Sequence, residues 1–181
     1  MSASPQDLMT AKLFFNAAFP TMQVLLDDDP KLHKKFRNFN ATVQFGAMND
    51  GELLCCHLIF QNGNLTVVQG PAEKSDISLT FPSVEKMNSL LKGGLSLPSI
   101  KGNLSLLPNV LSILMGLKIM TKPNDKLKND TEKLLKVKCS LYMITRALSQ
   151  YNKLGDPDMQ EFCRRQPDRI YQFQVEHDGF L

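Results

Sequence analysis

The chain has no tryptophan, three tyrosines and four cysteines in 181 residues. It also lacks every string that marks a common catalytic centre: GxSxG, HExxH, GxGxxG and the phosphate loop are all missing, so the usual hydrolase, zinc-protease and nucleotide chemistries have no local support. His33, His57 and His177 stand at no ligand spacing, and Cys55, Cys56, Cys139 and Cys163 form no CxxC pair. Four cysteines scattered over this length read as reduced thiols. Met1 to Thr10 has neither a basic n-region nor a continuous apolar h-region, so the expected location is cytoplasmic. A net charge of +3 with no arginine run or aromatic-flanked basic cluster excludes a nucleic-acid face.

One nucleophile calls for a test of geometry. Cys55 and His57 are two apart on a sequence that alternates like a strand, which puts both on one face about 7 Å from each other. That is too far for the direct hydrogen bond a thiolate dyad needs. Cys56 points to the other face, so the pair cannot share a metal. The expectation is no catalytic residue, no metal, no cofactor and no enzyme activity.

What is present in excess is aliphatic surface. Nine methionines are roughly twice average usage and suit a surface that adapts to variable apolar shapes. The stretch "KGNLSLLPNVLSILMGLKIM" at 101–120 has no charge between Lys101 and Lys118. A membrane span needs about 18 or more continuous apolar residues; Pro108, Ser105, Asn109 and Ser112 interrupt this one, so a span is not expected. Read as a helix from near Pro108, it sets Asn109, Ser112 and Gly116 on a narrow stripe and covers the rest with Val110, Leu111, Ile113, Leu114, Met115 and Leu117. A helix apolar nearly all round is expected to be enclosed nearly all round.

The remaining pattern predicts an α/β chain. Ser4 followed by Pro5 and Asp7 starts a helix, with Leu8, Ala11, Phe15 and Ala18 on one face; Pro20 is expected to end it, with short helices at 21–26 and from Asp29-Pro30 to before Asn40. From Ala41 the period becomes two. Strands are expected at 41–47, 53–60, 65–69 and 77–81 as an antiparallel meander, with turns at Asn49-Asp50-Gly51 and Asn62-Gly63. Ser83 caps a helix that Gly93-Gly94 stops, and 95–100 is expected to add a strand. Thr131 to Tyr151 reads as an amphipathic helix carrying Leu134, Leu141 and Leu148 seven apart; a short helical piece reaches Arg165, and 170–175 alternates like a strand. The organisation expected is N-terminal helices at 1–40, a sheet-and-helix unit at 41–120 and a C-terminal extension at 121–181, packed as one domain. An apolar ending at Phe180-Leu181 is what a chain continuing past Leu181 would show.

"LLDDDPKLHKKFRNFNATVQFGAM", then "SDISLTFPSVEKMNSLLKGG", then "IKGNLSLL" before the apolar helix resemble the sterol carrier protein type 2 family over residues 25–120. The resemblance implies a mostly antiparallel five-stranded sheet covered on one face by helices that enclose an apolar tunnel, and binding of fatty acid, acyl-CoA, sterol-like or other lipid. Pro108 departs from the family's final helix, and Gly179-Phe180-Leu181 is not the peroxisomal tripeptide of eukaryotic members. On this reading the ligand wall is Phe45, Leu79, Met87, Leu91, Leu104, Leu107, Leu111, Leu114 and Met115. Lys118, Lys122 and Lys126, within a lysine-rich run, are expected to meet a head group or, transiently, an anionic membrane surface. The alternative is an accessory protein-interaction domain of a larger lipid-metabolism protein or assembly, with no free ligand.

Overall fold

The computed structural model describes residues 2–166, Ile170 and Gln172; the strand expected at 170–175 lies, those two residues apart, outside the described residues. Five strands form one sheet: β1 Ala41–Asn49, β2 Glu52–Gln61, β3 Asn64–Gln69, β4 Ile77–Phe81 and β5 Ser99–Gly102. The helices are α1 Pro5–Leu13, α2 Phe19–Asp28, α3 Pro30–Phe36, α4 Val84–Leu91, α5 Leu107–Gly116, α6 Asp130–Lys153 and α7 Pro157–Arg165. The mixed α/β class and the mostly antiparallel five-stranded sheet agree with the sequence reading.

Both hairpins form where the dipeptides demand. Asp50-Gly51 and Asn62-Gly63 have φ of 53°, 87°, 52° and 84°, the positive pair that a two-residue type I′ turn needs. They lock β1 to β2 in the register Asn49↔Glu52 and β2 to β3 in the register Gln61↔Asn64.

The fourth strand corrects the meander. The order is β3-β2-β1-β4-β5, and β4 runs parallel to β1 with Phe45 opposite Leu79. Parallel pairing requires a crossover, and the chain provides one across the open face of the sheet. His57 Nδ1 meets the Gly70 carbonyl at 3.0 Å, the Ala72 amide donates to Gln44 Oε1 at 3.0 Å, and Asp76 Oδ2 accepts from the Thr42 amide at 2.7 Å. Gly70-Pro71 marks the beginning of this crossover rather than a hairpin turn.

The opposite face is apolar and covered. Val43, Phe45 and Ala47 of β1, Cys56, Leu58 and Phe60 of β2, and Ile77, Leu79 and Phe81 of β4 are all buried, the period-two pattern of a half-solvated sheet. Helices α2 and α4 lie on it, and α1 packs beside α4. Ser4 caps α1 by accepting from the Asp7 amide, and Asn88 Nδ2 of α4 donates to the Asp7 carbonyl at 3.0 Å, tying the two helices together.

Pro20 does not end the first helix, contrary to the sequence expectation. A π-turn at Phe14–Ala18 joins α1 to α2, and the Phe19 amide bonds to the Phe14 carbonyl. Proline lacks an amide and its ring strikes the carbonyl four residues back in a regular helix. The wider turn carries the chain past that obstacle, so Phe15 and Phe19 both reach the sheet. Their ring centroids are 5.8 Å apart, Phe19 meets Phe45 edge-on at 5.2 Å, and Phe45 meets Phe81 at 5.4 Å.

Helices α5 and α6 form an outer layer, packed chiefly on α2, α3 and the π-turn. The seven-apart leucines are not the packing face of α6. Leu135 and Cys139 are buried there, while Leu134 and Leu148 are exposed. We expect Phe19→Ala to cost about 3–5 kcal/mol, the range for deleting a buried aromatic ring, measured as a lowered urea midpoint with an unchanged slope.

Candidate functional site

The apolar stretch at 101–120 begins with a polar brace. Asn103 Oδ1 accepts from the Ser105 amide at 3.1 Å and from Ser105 Oγ at 2.7 Å, starting a 3-10 turn at Leu104–Leu106 that leads into α5. Pro108 sits in the first turn of α5, where its missing amide costs nothing. One face of α5 buries Val110 and Ile113. Gly116 lets that face approach closely: a Cβ there would lie 2.9 Å from Leu25 Cδ1 and 3.1 Å from Leu32 Cδ1.

The other face of α5 is open, which corrects the expectation of full enclosure. Leu104 is 60 %, Leu111 48 % and Met115 55 % exposed. The 18-residue run Leu104–Thr121 has a mean hydropathy of 1.6, yet only 11 % of it is buried. An outer-layer helix has just one neighbouring side, so a second apolar face finds no partner within the chain.

The residues expected to form one wall therefore fall into separate places. Phe45, Leu79 and Met87 face the covered side of the sheet and are buried in the aromatic core. Leu91, Leu107 and Leu114 are half-buried at its edge. Leu104, Leu111 and Met115 look outward. The space that a tunnel would occupy between sheet and helices holds Phe15, Phe19, Met22, Phe45 and Phe81.

A cleft of about 480 Å³ lies instead at the C-terminal end of α5. Met115, Gly116, Ile119 and Leu135 line its apolar part, and Lys118, Lys122, Asp29 and Glu132 its polar part. The 3-10 turn Leu117–Thr121 and α6 form its walls. Lys122 Nζ is tied to Glu132 Oε2 at 2.7 Å, and the Lys128 amide donates to the same oxygen at 3.0 Å. Lys136 Nζ donates to the Lys122 carbonyl at 2.8 Å. Of the three lysines expected at a head group, Lys122 is thus already paired, Lys118 is exposed on the cleft with no salt bridge among the described residues, and Lys126 is exposed in a 3-10 turn outside it. Sequence reasoning missed Ile119, Leu135 and Glu132. The one signal was Leu135 and Cys139 spaced four apart beside the more conspicuous leucine heptad.

The thiols sit apart from this site. Cys55 is buried on the open face of the sheet opposite Gly46, and His57 directs Nδ1 to the Gly70 carbonyl. Burial pushes the Cys56 thiol well above the ordinary range, with Cys55 adding to it. Burial also raises Cys139, to about 12. No group of three histidine, cysteine or acidic side chains could hold a metal among the described residues.

Two predictions follow from these environments. At neutral pH iodoacetamide should label Cys163, the exposed thiol, while Cys55, Cys56 and Cys139 label only after denaturation, as peptide mass spectrometry would read out. The Glu132 carboxyl is held below its usual range by the Lys122 hydrogen bond first and the Lys128 amide second. A depressed folded-state pKa stabilises above the unfolded value and that gain is lost as pH falls through the folded one. Glu132→Gln should therefore lower Tm at neutral pH, and its difference from wild type should vanish as the pH drops through the carboxylate range.

No family model and no curated protein sequence matches the chain. Among solved structures it is similar to the sterol carrier protein domain 2 of Helicoverpa armigera, at 19 % identity over 65 % of this chain and 94 % of that one, with a TM-score of 0.42. It is also similar to a UbiJ-SCP2 ubiquinone synthesis protein, at 14 % identity over 62 % of this chain and 97 % of that one, with a TM-score of 0.41. Both are SCP2 domains, the kind that residues 25–120 resemble.

Proposed function

We propose that the protein binds and transfers lipids without catalysis, holding a fatty acid, acyl-CoA, sterol-like or other apolar cargo, and that the cleft beside Met115 is where the chain grips it. The observation that carries this reading is the cleft's build: an apolar floor of Met115, Ile119 and Leu135 beside Lys118, a cation with no salt bridge among the described residues. Its volume falls within the 300–1,000 Å³ usual for small-molecule sites. The sequence resemblance over residues 25–120 supports the same cargo class. The resemblance implies an interior tunnel; the cargo site proposed here is instead this external groove, in keeping with the buried aromatic rings between sheet and helices.

Energetics favour a releasable cargo. Burying about 12 methylenes contributes on the order of 10 kcal/mol, and association costs several kcal/mol in lost freedom, leaving affinity near the micromolar range. Apolar walls separate chains that differ by one methylene by only about 1–3 kcal/mol, so a broad cargo range is expected.

A fluorescent fatty acid titrated into vesicle-free protein should saturate at one equivalent. Ile119→Trp, which fills the cleft, should weaken uptake about tenfold or more, and Lys118→Glu should weaken a fatty acid but not its methyl ester. Flat titrations, together with no lipid in solvent extracts of the purified protein, would overturn the proposal.

A further inference from the structure

The outward stripe of α5 runs beyond the cleft and calls for an occupant of its own. Leu104, Pro108, Leu111 and Met115 follow one another at helical spacing along it, and all four are exposed. Lys118 continues the line. Lys35 Nζ of α3 donates to the Pro108 carbonyl at 3.2 Å, and Lys31 and Lys34 of the same helix are exposed. Between Glu85 and Asp125 the chain carries five lysines and no acid over 39 residues. The acids of the adjoining cleft are engaged: Asp29 caps α3 by accepting from the Lys31 and Leu32 amides, and Glu132 pairs with Lys122.

We infer that this face docks the protein onto an anionic lipid surface, with α5 lying in the plane of the interface. An amphipathic helix whose apolar side enters the acyl boundary while lysines meet the head groups is the general form of such contacts. Charge selects this occupant over others. A second copy would set lysine against lysine across the stripe. A protein partner would be expected to meet aromatic or arginine anchors, and the stripe itself, Leu104, Pro108, Leu111, Met115 and Lys118, contains neither. The helical run Leu104–Thr121 is long and apolar enough to span a bilayer by length and composition, but Val110 and Ile113 are buried against the rest of the chain and Gly116 sits tightly on Leu25 and Leu32, a seat the run would have to leave in order to cross. The docking does not depend on the cargo reading, since it uses residues outside the cleft apart from Met115 and Lys118.

Co-sedimentation with vesicles tests it, using phosphatidylcholine alone and phosphatidylcholine mixed with phosphatidylserine. The intact protein should bind the mixed vesicles and lose them at high salt. Leu104→Ser with Leu111→Ser, and separately Lys31→Glu with Lys34→Glu, should each weaken binding about tenfold or more while leaving Tm and vesicle-free fatty-acid uptake unchanged. Absence of binding to mixed vesicles, or binding that survives both double variants, overturns the inference. A dimer in sedimentation that the leucine variant dissolves, with no vesicle binding, assigns the stripe to a second copy and overturns it as well. Uptake lost with docking intact would count against the cleft alone.

Discussion

The contact on which the rest of the molecule depends is the column of rings from Phe15 through Phe19 and Phe45 to Phe81. A sheet with one apolar face must bury it, and burial of side chains this large supplies most of the driving force available to a chain of this size. Once the π-turn, α2 and α4 have closed that face with Phe15, Phe19, Val84 and Met87, α5 has no access to it. Helix α5, the most apolar segment, is left to pack on helices through Val110, Ile113 and Gly116. Its opposite side then meets solvent because two layers are already in place beneath it. Filling the interior and exposing the greasy stripe are two results of one packing choice.

That choice also sets where chemistry can occur. Polar groups in the core are few, and most find partners: Thr21 Oγ1 donates to the Ala17 carbonyl and Asn88 reaches Asp7. Cys55, Cys56 and Cys139 are buried, and the one histidine on the strand of the first two, His57, is engaged at the crossover. What remains with both apolar area and unspent charge is the outer layer around α5.

Much of the fold was legible in the sequence because its signals are local. Asn62-Gly63 and Asp50-Gly51 require positive φ, the alternation of Val43, Phe45 and Ala47 requires a half-buried strand, and Ser4, Asp29 and Ser83 announce their helices as caps. The errors arose where local rules met tertiary choices. Pro20 reads as a terminator unless the helix can widen, and only contact with the sheet makes the π-turn worth its irregular bonding. The parallel partner of β4 is invisible to periodicity, which reports faces and not neighbours. On α6 the period-seven leucines outshone Leu135 and Cys139, the buried pair. The candidate site was half legible: Met115 and Lys118 were found from the apolar stretch and the lysine run, whereas Glu132 and Leu135 belong to a helix the family pattern does not reach.

The π-turn has a geometric consequence that extends well beyond its five residues. One extra residue in a helical turn rotates everything downstream by about 100° about the axis. Helix α2 is the bench on which both α5 and α6 rest, so this single widening fixes which of its sides faces the strands and which receives the outer pair. The orientation of a leucine some ninety positions later is thus decided by how the chain negotiates a proline near its start.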